Sequence, residues 1–174
     1  MLKRGCLILR TAIALAACDD DSPTAPSDPN VVVFTAQLSA ANEVPPITGA
    51  EANARGDARM TFNLTRDASN NITAATVDFV VNLNSFPNAA SWRLAHIHEG
   101  PSGVAGGVVI DTKLTPATAI TLTNGSVSNQ QFTSDPVTDV ALINRILSNP
   151  AGFYFNAHTT ANPTGAVRGQ LVRQ

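Results

Sequence analysis

His96, His98 and His158 are the three histidines of the chain, and their spacing carries most of its chemical potential. His96 and His98 stand two apart in Arg93-Leu-Ala-His96-Ile-His98-Glu99, so in an extended strand both imidazoles leave the same face. His158, in Tyr154-Phe-Asn-Ala-His158-Thr159, is free to join them from a neighbouring strand. Neutral imidazoles suit Cu(II) and Zn(II), and three around one ion leave a coordination position open for water or substrate. The spacing predicts a mononuclear site whose ring nitrogens converge to within about 4 Å of one another. The competing reading is structural. On that reading His96 and His98 fix the loop that begins at Glu99-Gly100, and His158 anchors the turn from Thr159 to Gly165. Two further residues are candidates for supporting roles: Glu99, and Arg168, which would either orient an anion near the histidines or pair with Glu99 or Glu43.

No other pattern supplies catalytic chemistry. No serine sits in Gly-x-Ser-x-Gly, and Gly100, Gly103, Gly106 and Gly107 precede a strand rather than the helix a phosphate loop needs. The carboxylates are scattered, so no paired-acid site is legible from spacing.

The elements that must position the histidines are strands. Met60, Phe62 and Leu64 alternate with polar residues, as do Val77, Phe79, Val81 and Leu83; Phe153, Phe155 and Ala157 alternate with Tyr154, Asn156 and His158. These read as half-buried strands. About eight are expected, nine if both members of a weaker pair near Ile120 and Phe132 count: 31–38, 52–65, 72–84, 92–99, 108–114, that pair, 153–158 and 167–172. Turn chemistry separates them at Asp67-Ala-Ser-Asn-Asn71, Asn124-Gly125 and Asn162-Pro-Thr-Gly165. Val44-Pro45-Pro46 demands extended backbone and reads as a rigid exit from the first strand. Only 139–148 has helical spacing, and Asn149-Pro150 stops it. Many strands, frequent turns and one short helix predict an all-β, antiparallel, Greek-key-like β-sandwich; helical crossovers for a parallel sheet are missing.

The amino terminus sets an expected location. Met1-Leu-Lys3-Arg4, an apolar stretch and Leu15-Ala-Ala-Cys18 read as a lipoprotein-type signal over 1–17, cleaved before Cys18, which becomes lipidated. The alternative is a plain cleaved signal or a misassigned start codon. Residues 18–30 then form a disordered tether rich in Asp, Ser and Pro, and 31–174 the single folded domain. The expected setting is the bacterial cell envelope, facing the periplasm or the exterior, with the membrane as partner through Cys18 and a protein or small molecule as ligand. Of the 11 basic residues, Lys3, Arg4 and Arg10 leave with the signal, so 8 face 13 acidic residues and nucleic acid is excluded as a partner. With Cys6 removed and Cys18 acylated, no thiol is left for a disulfide or a zinc–thiolate cluster.

Three blocks in order, Phe34-Thr-Ala-Gln-Leu-Ser-Ala-Ala-Asn42-Glu43-Val44-Pro45-Pro46, then His96-Ile-His98-Glu99-Gly100, then Asn156-Ala-His158-Thr159 running to Gly165-Ala-Val-Arg168-Gly-Gln-Leu171, closely resemble the CHRD domain, named from chordin. Ala166 stands where the family usually has an acidic residue, and Gly107 where a proline is common. The resemblance implies a secreted β-sandwich module and brings no established reaction. His96-Ile-His98-Glu99-Gly100 also resembles the His-x-His-Glu strand of the copper-zinc superoxide dismutases, with His158 in the place of their late copper ligand. The histidines of their bridge and zinc site, and their disulfide, have no counterparts. Two functions follow as expectations: an envelope-tethered binding or structural module holding one Cu or Zn ion, or a copper-dependent redox protein using the same three histidines.

Overall fold

The computed structural model describes residues 28–174; the signal segment, Cys18 and residues up to 27 of the expected tether lie outside the described residues. Ten antiparallel strands are present among the described residues: β1 Val31–Ser39, β2 Arg55–Arg66, β3 Ile72–Asn84, β4 Ala90–Glu99, β5 Val108–Asp111, β6 Ile120–Leu122, β7 Val127–Thr133, β8 Phe153–Thr159, β9 Val167–Gln170 and β10 Val172–Arg173. One α-helix, α1 (Val140–Ser148), lies between β7 and β8. The count exceeds eight partly because the last expected strand divides at Leu171, where β9 pairs with β8 and β10 pairs with β1.

The strands follow the order β5-β4-β8-β9-β1-β2-β3-β7, with β6 beside β4 and β10 beside β1. The curled sheet bends between β9 and β1, which share one paired register, Ser39 with Arg168. The two halves thereby become the layers of a sandwich. Phe79 of β3 meets Phe155 of β8 at 5.9 Å between ring centroids, and Phe132 of β7 meets Trp92 of β4 edge-on at 5.4 Å. Phe34, Met60, Phe62, Val77, Ile97 and Ile143 are also sealed in this core. Each such side chain contributes about 1.5–3 kcal/mol by leaving water. Chain neighbours β3 and β4 sit in different layers and β7 returns to pair with β3, which makes the connectivity Greek-key-like.

The helix closes the core with Leu142, Ile143 and Ile146. Its first turn is capped by Asp139, whose carboxylate accepts from Leu142 N at 3.0 Å. Asp139→Ala is expected to cost about 1 kcal/mol, read as a lowered urea midpoint with unchanged slope.

Two local features depart from simple alternation. β8 is buried along its whole length, on both faces rather than one. Its inner face packs into the core, and its outer polar face lies beneath connecting segments described below. In β4 the register against β8 shifts between Trp92 and Leu94. A bulge of this kind reverses which face successive side chains take. Trp92 therefore points into the core although it has the same sequence parity as His96 and His98, while Ala95 and Ile97 supply the core face beyond the bulge.

Candidate metal centre

His96 and His98 emerge from the outer face of the layer formed by β5, β4, β8 and β9, and His158 joins them from β8. The pairing register places His96 opposite Asn156, His98 opposite Tyr154 and Leu94 opposite His158, so the three imidazoles occupy adjacent positions on two neighbouring strands. Their ring centroids are 5.1, 5.5 and 5.7 Å apart. One nitrogen from each ring lies within 4.8 Å of the other two, and His96 Nδ1 is 3.2 Å from His158 Nε2. Tetrahedral coordination at about 2.0–2.1 Å separates ligand nitrogens by about 3.3 Å, so one pair already has that spacing and ring shifts of about an ångström complete the set.

The outward-facing nitrogens set which nitrogen each ring turns inward. His98 Nδ1 donates to the carbonyl of Gly106 at 2.9 Å, and His158 Nδ1 donates to that of Pro163 at 3.1 Å. A carbonyl only accepts, so each Nδ1 carries the proton and each Nε2 presents a bare lone pair inward. His96 faces the other way round: Nδ1 points inward and Nε2 lies 3.9 Å from Asp111 Oδ2. Without a cation, His96 must turn its proton inward to bridge to His158, leaving two acceptors facing each other at Asp111. With one, all three protons point outward, to two carbonyls and a carboxylate, the arrangement that holds metal-ligating imidazoles. His98 Nε2 is buried with no hydrogen-bond partner at all. This orphaned acceptor beside two other imidazoles fits a set of nitrogen donors that could hold one metal ion.

Burial also keeps the rings neutral. The three histidines are 7, 7 and 5 % exposed in chain order. Desolvation holds His96 below the ordinary imidazole value, with Asp111 opposing, and does the same to His98, with the Gly106 carbonyl opposing. His158 is pushed down to about 4, first by burial and then by the two other histidines. Deprotonated rings are the ligand form.

The cluster is roofed by three segments. The loop 100–107 supplies Gly106, and its course is set by Arg168, which donates to Val104 O at 3.1 Å and Pro101 O at 3.2 Å. Gln170 accepts from Arg168 and donates to Gly100 O at 3.0 Å. Between them, Gly169 lets β9 cross β1 closely, since a Cβ there would lie 2.1 Å from Gln37 O. The Arg168-Gly-Gln170 sequence thus has a physical reason at each position. The turn 159–165 supplies Pro163 and is pinned by Glu51, which accepts from Thr159 Oγ1 and Asn162 Nδ2. Glu43, on the β1–β2 connection, is buried beside Arg168 and Asn156, and desolvation raises it to about 7 against the opposing effect of both neighbours.

The expected supporting residues stand elsewhere than the sequence placed them. Glu99, one residue beyond His98 on the opposite face of β4, forms a forked pair with Arg145 of α1 at 3.0 and 3.1 Å and does not join the cluster. Arg168 is 2 % exposed and does not pair with Glu99; it lies beside Glu43, the other expected partner, whose charge it favours. Its guanidinium is committed to Pro101, Val104 and Gln170, and its carbon atom lies 3.5 Å from the Tyr154 ring centre, so it is not displayed to a dissolved anion. Asp111, Gly106, Pro163, Tyr154 and Glu51 were not singled out by the sequence. For Tyr154 a signal existed, because it shares the alternating face of His158; Gly106 and Pro163 lie in the loop and the turn that the structural reading assigned to the histidines, 8 and 5 residues along the chain, whereas Asp111 and Glu51 arrive from other elements.

An antiparallel β-sandwich with a three-imidazole cluster on the outer face of one layer is the class this geometry defines. The CHRD domain family matches residues 34–171, and the chain belongs to that family. No curated protein and no solved structure matches the chain.

Proposed function

We propose that this protein is an envelope-tethered CHRD-domain binding or structural module that holds one metal ion, Cu or Zn, through His96, His98 and His158. The observation that carries the metal reading is the inward, partnerless Nε2 of buried His98 beside two further imidazoles whose outer nitrogens all face acceptors. In this reading the chain's own residues bind and orient: Gly106, Pro163 and Asp111 hold the rings, while the loop 100–107 limits access of water. The bound ion would supply Lewis acidity, or electron transfer if it is copper.

A module is favoured over a redox enzyme because Arg168, a cation close to His98 among the described residues, is buried and hydrogen-bonded to Pro101, Val104 and Gln170, so its guanidinium is not displayed to an anionic oxidant. Elemental analysis of the purified full-length protein, with a superoxide-dismutation assay on the same sample, tests this. One equivalent of metal without turnover is expected; turnover with copper supports the redox reading instead, and absence of metal after incubation with Cu(II) and Zn(II) returns the histidines to a structural role.

The tether carries its own expectation. Cys18→Ser should release the protein from the membrane fraction with its fold intact, because the anchor lies outside the domain. Fractionation followed by immunoblotting checks it, and unchanged membrane association removes the lipid anchor.

A further inference from the structure

We infer that Tyr154 and Arg168 are positioning residues that dictate which ring nitrogen of His98 faces the metal centre. The inference rests on the metal-binding reading above and adds to it the residues that select the donor atom.

An imidazole presents either nitrogen to a metal, and the hydrogen bond made by the other one decides which. For His98 that bond runs from Nδ1 to Gly106 O, so the position of one carbonyl in the loop 100–107 sets the chemistry. Tyr154 holds Gly106 through both of its backbone groups, its hydroxyl accepting from Gly106 N at 3.1 Å and donating to Gly106 O at 3.5 Å. The backbone at this point has no slack, since a Cβ on Gly106 would fall 1.7 Å from Glu99 O. Arg168 fixes the same loop from the other side through Pro101 O and Val104 O.

The two side chains also fix the plane of the ring. Tyr154 lies between β4 and β9 partners in the sheet: His98 stacks on it at 4.9 Å and 10° between planes, and the Arg168 guanidinium carbon sits 3.5 Å from its centre. Rotating His98 would break the stack, and shifting Gly106 would break the hydrogen bond. A buried arginine with three hydrogen bonds and a tyrosine whose hydroxyl meets both backbone groups of Gly106 are thereby explained as parts of one device. Neither touches the metal position.

The test uses full-length protein labelled with nitrogen-15. In the metal-free parent, long-range proton–nitrogen correlations should show His98 as a single Nδ1–H tautomer. Tyr154→Phe keeps the ring for stacking and removes the hydroxyl; the expected results are a mixed His98 tautomer, unchanged His158 signals, and Zn(II) affinity weakened about 10-fold in competition with a chromophoric chelator, as for loss of an outer partner. Arg168→Lys keeps the charge but cannot hold Pro101 and Val104 with one fork, so it should act in the same direction. Tyr154→Phe with the parental tautomer and parental affinity overturns the inference and leaves the metal site standing. A parent that takes up no Zn(II) overturns the metal reading, and the tautomers of the metal-free proteins still decide the positioning claim.

Discussion

His98→Ala is expected to weaken uptake of Cu(II) or Zn(II) by at least about 100-fold in isothermal titration of the full-length protein. Loss of an outer partner alone costs 10–100-fold, and here an inner donor itself is removed. The two imidazoles left behind, His96 and His158, are already within hydrogen-bond distance of each other at 3.2 Å and satisfy one another without an ion. His98 is the ring whose inward nitrogen has no such alternative. The substitution removes an unsatisfied buried acceptor and leaves the core residues Ala95 and Ile97 in place, but it also deletes the hydrogen bond to Gly106 O and the stack on Tyr154. A folded variant with a lowered thermal midpoint and lost uptake is the expected combination. Parental uptake in the variant would make the cluster structural.

Glu43→Gln is expected to stabilise the protein by about 3 kcal/mol at about pH 8 and by little at about pH 4. Glu43 is 7 % exposed, its Oε1 has no partner, and burial lifts it from 4.5 to about 7. Between those values the unfolded chain is ionised and the folded chain still protonated, so unfolding releases a proton and stability falls as pH rises. Above about 7 the folded protein carries a buried carboxylate and the full difference is present. The histidines act with the opposite sign: their lowered folded values mean stability is lost as pH falls through 6.5, when the unfolded rings protonate first. That contribution is common to parent and variant, so their difference isolates Glu43. Urea midpoints at three pH values measure it. A pH-independent difference, or a variant less stable than the parent at about pH 8, contradicts the assignment.

What was legible in the sequence follows the range of the interactions involved. Two-fold alternation over 60–64 and 77–83 is a local signal, and the corresponding strands β2 and β3 form as expected. Asn124-Gly125 forms the turn between β6 and β7, with φ of 53° and 72°. The common face of His96 and His98 is equally local. That His158 lands beside them depends on the register of β8 against β4, which no local pattern reports. The bulge at Trp92–Leu94 was invisible for the same reason, although it alone allows Trp92 to enter the core while His96 and His98 leave it. Val44-Pro45-Pro46 marked this connection by its prolines but carried no sign that Glu43 beside it is folded inward. Glu99 was misplaced because its partner, Arg145, comes from α1, 46 residues away. Arg168 lies beside Glu43, one of its two expected partners, but its place under the loop was not legible, because the three acceptors that enclose it come from the loop and from Gln170.

The central claim is that His96, His98 and His158 together hold one ion. The most direct measurement is the X-ray absorption spectrum of the full-length protein loaded with one equivalent of Zn(II). Three imidazole nitrogens at about 2.0–2.1 Å, falling to two in His158→Ala, are predicted. A first shell with fewer than three imidazoles in the parent, or one that His158→Ala leaves unchanged, would contradict it.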